Sequence, residues 1–113
     1  MEPRLKTKLV VSALIRRAQA EGGFAAVLAS GDSEAGSILL VLAEKGRRVR
    51  FLERLLQPNG NYLWQPINEE ALANPEESER FLQRRRKYDP DIWLIELDVA
   101  SAERLIAELN ELV

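Results

Sequence analysis

The stretch from Gln83 to Asp98, QRRRKYDPDIWLIELD, constrains the fold more than any other part of the chain, because it joins a helix end, a forced break and a buried strand. Arg84, Arg85, Arg86 and Lys87 suit the negative end of a helix dipole. Pro90 disfavours helical backbone at the residue before it, so the helix must stop by Asp89. Ile92 to Leu97 are then apolar on both faces with Glu96 as the exception, the pattern of a strand covered on two sides.

Upstream, Arg4, Lys6 and Lys8 alternate with Leu5, Thr7 and Leu9, which predicts a short half-buried strand, Arg4–Leu9. From about Val10 the period becomes helical, with Val11, Leu14, Ile15 and Ala18 on one side, and Gly22-Gly23 ends the helix. Phe24–Ser30 and Ser37–Glu44 are apolar throughout and predict two interior strands joined by the loop GDSEAG. Lys45-Gly46 is a tight turn into Arg47–Leu56, whose alternating arginines predict one face open to water. Pro58-Asn59-Gly60-Asn61 turns the chain into Tyr62–Ile67, with Pro66 pointing to an edge position. Asn74, Pro75 and Glu77 open a helix that runs to about Lys87. Ser101 caps a last helix striped by Leu105, Ile106, Leu109 and Leu112. The expected fold is a single α+β domain over residues 1–113, order β-α-β-β-β-β-α-β-α, with a mainly antiparallel sheet and helices packed on one face.

A chain of 113 residues, 46% hydrophobic, can bury roughly two thirds of its unfolded surface without staples. It has no cysteine and no histidine. That excludes disulfides, thiolate metal sites and thiol nucleophiles, and removes the commonest general base and metal ligand. Any catalysis would run on carboxylates, Lys, Arg, Tyr or a bound metal. The apolar run Leu9–Ile15 is interrupted by Ser12 and followed by arginines, so no secretory signal is expected, and no stretch nears the roughly 20 residues of a membrane span. A cytoplasmic protein without membrane contact is expected. Residues 1–56 carry +4 and residues 57–113 carry −6, a balance that lets the halves attract each other and opposes nonspecific nucleic-acid binding.

Candidate chemistry is thin. GDSEAGS has the glycine spacing of a phosphate loop at Gly31 and Gly36 but lacks its Lys and precedes a strand, so a loop using Gly for unusual backbone angles is the simpler reading. The pairs Asp32/Glu34 and Asp89/Asp91 lack cation-cage spacing and suit turns, so no metal and no cofactor are expected. Glu96, inside an apolar strand, calls for an arginine partner, with Arg50 or Arg16 available. The sets Arg4/Lys6/Lys8, Arg48/Arg50/Arg54 and Arg84–Lys87 could form a basic patch with Tyr62, Trp64 and Trp93, although strand faces and a helix dipole account for each.

Three segments, RLKTKLVVSALIRRAQAEGG (residues 4–23), GDSEAGSILL (31–40) and RRKYDPDIWLIELD (85–98), resemble the bacterial domain of unknown function 1491 family, and the resemblance covers nearly the whole chain. The matched residues are Arg16, Arg17, Gly31, Asp32, Ala35, Gly36, Asp89, Pro90, Asp91 and Trp93. The resemblance implies no activity, because the family brings no catalytic residues or ligands to carry over. Arg16, Arg17, Asp32, Asp89, Asp91 and Trp93 are therefore candidates for ligand binding, with no catalytic residue assigned. The expected function is a noncatalytic binding or protein-interaction module. A small carboxylate-dependent enzyme and a nucleic-acid-binding accessory protein are the alternatives. Amphipathic helices at both ends of the chain suggest a homodimer or another protein partner.

Overall fold

The structure, a computed structural model, describes residues 5–111. The first helix, α1 (Thr7–Ala20), begins where a strand is expected. Arg4 lies outside the described residues, and the rest of Arg4–Leu9 enters or precedes the helix. The buried stripe is Thr7, Val11, Leu14 and Ala18, a spacing of four, three and four, while Leu5 and Leu9 of the apparent alternation are 68% and 54% exposed. No side chain caps this helix at Lys6. Its first N–H groups are satisfied from far along the chain instead, with Thr7 and Lys8 donating to the carbonyls of Glu34 and Ser33 at 3.2 and 2.9 Å. A helix start made by a distant loop leaves no local signature.

The five strands are β1 (Phe24–Ala29), β2 (Ile38–Glu44), β3 (Arg47–Leu56), β4 (Tyr62–Ile67) and β5 (Trp93–Asp98). They lie in the order β1-β5-β2-β3-β4. β5 runs antiparallel to β1 and parallel to β2, and β2·β3 and β3·β4 are antiparallel, so the sheet is mixed and mainly antiparallel. Insertion of β5 separates β1 from β2. The expected pair of interior strands is thus one central strand, β2, and one edge strand, β1. The β2–β3 turn has positive φ at Lys45 and Gly46, 53° and 81°, the backbone a two-residue hairpin needs. Asp98 at the end of β5 accepts from both their N–H groups, at 3.1 and 2.7 Å.

Helices cover both faces of the sheet rather than one. β2 reads ILLVLA before its final Glu44, with both sets of side chains buried, so each face needs a cover. Ile38, Leu40 and Leu42 pack with Val11, Leu14 and Ala18 of α1 and with Ala102, Leu105 and Leu109 of the last helix, α3 (Ala102–Glu111). Leu39 and Val41 pack on the other side with Ala71, of the short 3-10 helix Glu69–Leu72, and with Phe81 and Leu82 of α2 (Pro75–Tyr88). The rings of Phe51 and Phe81 meet at 4.9 Å between centroids. For the same reason β3 does not show a face to water, since its neighbours Phe51 and Leu52 are both fully buried, on opposite sides. Asn74 caps α2 as expected, its side-chain oxygen accepting from Glu77 N–H at 2.9 Å. On α3, Ser101 accepts from Arg104 N–H at 3.2 Å, and Glu44 of β2 accepts from Ala102 N–H at 2.7 Å. Leu112 of the expected stripe lies outside the described residues.

Candidate functional site

The two sequence motifs meet in one place. The loop after β1, residues 31–37, folds against the Asp-Pro-Asp segment before β5. Asp32 N–H donates to the Asp91 carbonyl at 3.0 Å, and the ring N–H of Trp93 donates to the Asp32 carbonyl at 2.8 Å. Trp93 N–H then donates to the Ser37 carbonyl at 2.8 Å, which starts the parallel register Ile38↔Trp93. Neither Gly31 nor Gly36 has positive φ, contrary to the expectation of unusual backbone angles. Each is glycine because a Cβ there would collide with the Asp91 carbonyl oxygen. Thr7 closes the assembly from α1, donating its buried hydroxyl to the Gly36 carbonyl at 2.8 Å.

Two carboxylates of this clasp are turned on their own backbone. The Asp32 carboxylate accepts from Ala35 N–H at 2.8 Å, and the Asp89 carboxylate accepts from Asp91 N–H at 3.1 Å, two side-chain turns that hold their own loops. Trp93 is 8% exposed and packs in the core beneath α1 and α3. Asp32, Asp89, Asp91 and Trp93 are therefore brought together, in a junction that splices three distant segments. Arg16 and Arg17 stand apart on α1. Arg16 is exposed, and Arg17 pairs with Glu108 of α3 at 2.7 Å. Among the described residues no group of three or more carboxylates is arranged to hold a metal ion.

The arginine partner of Glu96 is neither Arg50 nor Arg16 but Arg48, at 2.9 Å, and Arg48 also meets Glu79 of α2 at 2.7 Å. Burial pulls the Arg48 pKa down, and its hydrogen bonds to Glu96 and Glu79 outweigh that, so the net shift is upward. Arg50 reaches the opposite face to Glu103 of α3 at 2.8 Å, and Arg85 of α2 pairs with Glu53 at 3.1 Å. Arg48, Arg50 and Arg85 thus tie helices to both faces of the sheet and do not make one basic patch. Trp64 is buried, and Tyr62 lies under the guanidinium of Arg54, 4.1 Å from the ring centroid.

What the clasp leaves open is elsewhere. Phe24, Val27 and Leu28 on β1 are 77%, 46% and 37% exposed. Among the described residues β1 pairs with β5 alone, so its outer backbone edge has no partner strand there. These residues read as interior in the sequence because FAAVLA has no charge, and a charge-free strand signals either a strand paired on both sides or an unprotected edge. Only the order of the strands separates the two.

The family model "Protein of unknown function (DUF1491)" matches residues 5–107. The chain belongs to the DUF1491 family. The crystal structure of a DUF1491 family protein from Caulobacter crescentus CB15 is 30% identical, with a TM-score of 0.74 over 87% of this chain and 91% of that one. The solution structure of protein Atu0922 from A. tumefaciens is also 30% identical, with a TM-score of 0.71 over 88% and 89%. No curated protein matches. The α+β architecture is therefore that of the DUF1491 family, and its description carries no activity. Among the described residues no helix is long and apolar enough to cross a membrane.

Proposed function

We propose that this DUF1491 protein is a noncatalytic interaction module that pairs with a second copy of itself through β1, the two β1 strands lying antiparallel across a two-fold axis. The observation that carries the reading is the state of that edge. It is six residues long, has no Lys, Glu or Pro to discourage pairing, and shows three large apolar side chains to water. An isologous antiparallel pairing suits it, because a charge-free strand meets its own copy without like charges opposed. Large side chains are worth about 1.5 to 3 kcal/mol each when fully buried, and two copies bring six of them together against an association cost of about 4 to 15 kcal/mol, so the dimer is expected to depend on concentration. The engagement of Arg48, Arg50 and Arg85 with carboxylates argues against a nucleic-acid surface on the strands.

Light scattering on the intact protein tests the reading together with Val27→Lys, which puts a charge on the exposed edge. The parent is expected to show a concentration-dependent dimer in the micromolar range and Val27→Lys a monomer of unchanged stability. A parent that stays monomeric at those concentrations, or a variant that dimerises like the parent, overturns it.

A further inference from the structure

At the far end of the sheet β3 outruns β2. The β2·β3 ladder ends at Leu39↔Glu53, while β3 continues through Arg54, Leu55 and Leu56 paired with β4 alone. The space where β2 would have continued is a cleft of about 430 Å³ between this overhang, the 34–37 segment of the clasp and the entry to α1. Leu5, Leu55 and Tyr62 provide apolar wall, and Arg54 stands among them.

Among the described residues Arg54 differs from Arg48 and Arg50 of the same strand, and from Arg85 of α2, in having no anion. Arg48, Arg50 and Arg85 each have a carboxylate within 3.1 Å, whereas among the described residues Arg54 has no ion pair and no hydrogen bond, and contacts the face of Tyr62. Burial pushes its guanidinium pKa down, a sign that the cation is held in partly desolvated surroundings. The remaining charges on the wall cancel locally, Glu53 against Arg85 at 3.1 Å and Glu34 against Lys6 at 3.5 Å. Among the described residues Arg54 is the cation of the wall left uncompensated.

We propose that this cleft binds a small organic monocarboxylate, its carboxylate on the Arg54 guanidinium and its apolar body against Tyr62, Leu55 and Leu5. The fork of a guanidinium matches a carboxylate with two parallel N–H···O bonds, and the ring contact leaves its five donors without an acceptor. The single uncompensated charge sets the class of ligand. A dianionic phosphate would bring a second negative charge into a wall that already holds Glu34 and Glu53. The site is separate from β1 and does not depend on dimerisation.

The test is an amide-resolved NMR titration of the full chain with benzoate, benzamide and inorganic phosphate. Benzoate is expected to bind saturably in the millimolar range or tighter, moving the amides of residues 34–38, 54–56 and 62, with benzamide and phosphate at least about tenfold weaker. Arg54→Gln should lose about tenfold or more in benzoate affinity, and Arg54→Lys, which keeps the charge and loses the fork, should fall between them. Parent-like spectra away from the cleft show that both variants are folded. Absence of saturable benzoate binding overturns the proposal, as does binding unchanged in Arg54→Gln or phosphate binding tighter than benzoate.

Discussion

The two edges of the sheet are finished differently. β4 carries Pro66, which cannot donate to a further strand, and at Trp64 both backbone groups are already taken by the side chain of Asn110 on α3. The Asn110 carbonyl accepts from Trp64 N–H at 2.9 Å and its amide donates to the Trp64 carbonyl at 3.0 Å, the two bonds another strand would make. β1 has neither device, and exposes apolar side chains beside its free backbone. One edge is closed by a helix that reaches over it, the other is left in a form that a strand can extend. Edge protection here is tertiary, made by a residue 46 positions away, so a strand's own sequence does not announce whether it is protected.

The largest expected effect comes from removing the support common to both edges. Trp93 anchors β5, which lies between β1 and β2, and its ring fills the core beneath α1 and α3. Trp93→Ala should cost roughly 3 to 5 kcal/mol in urea melts. A loss below about 1 kcal/mol would show that the strand between the edges is not set by this residue.

Closing and opening can be tested directly at β4. Asn110→Ala strips two backbone bonds from Trp64, leaving a half-buried N–H and C=O in search of partners, with an expected cost of about 1 to 3 kcal/mol. This variant should also gain a second mode of self-association, seen as species beyond the dimer in light scattering. A variant destabilised without any new association would mean that Pro66 alone closes the edge.

At β1 the stability effect is smaller and the assembly effect larger. Val27→Lys changes an exposed side chain, so the monomer should shift within about 0.5 kcal/mol while dimer mass is lost. A substantial loss of monomer stability would place Val27 in the intramolecular core and sink the contrast.

How much of this was legible in the chain depends on the range of the interactions that set each element. The capped starts of α2 and α3, the Lys45-Gly46 turn, the stop at Gly22-Gly23 and the Asp-Pro-Asp break before β5 rest on neighbours a few residues apart, and all of them stand in the structure. The start of α1 rests on carbonyls of Ser33 and Glu34, and the reason for Gly31 and Gly36 is a carbonyl at Asp91, so both were misread from local pattern. The covering of both faces was implied by β2 alone, whose six apolar residues leave neither face for water, but the thin stripe of α2 obscured which helix supplied the second cover. Of the candidate site, Asp32, Asp89, Asp91 and Trp93 do converge, with the Asp32 and Asp89 carboxylates and the Trp93 ring N–H engaged in the splice, while Arg16 and Arg17 stand apart. The unpaired Arg54 could not be told from Arg48 and Arg50, because the strand register and a bulge between Leu42 and Ala43 decide which arginine meets which carboxylate.

The smallest expected effect concerns how α3 is kept over the β4 edge. Glu108 lies one turn before Glu111 and two residues before Asn110, and it accepts from Arg17 of α1 at 2.7 Å and from Arg104 at 3.0 Å. These bonds, Arg17 first, hold its carboxyl below the usual carboxylate range. A folded-state pKa lowered in this way contributes stability that is present above the unfolded carboxylate value and is lost as pH falls through the folded value. Acid should therefore loosen the α1–α3 tie, and with it the Asn110 cover, while β1, which has no titratable residue, is unaffected. Urea melts of the parent and Glu108→Gln as a function of pH check this. The two curves should differ at neutral pH and converge in acid, and the protection of Trp64 N–H against hydrogen exchange, taken relative to the intrinsic amide rate at each pH, should fall with falling pH in the parent alone. A constant gap between the curves at all pH values would show that Glu108 serves α3 through packing rather than charge.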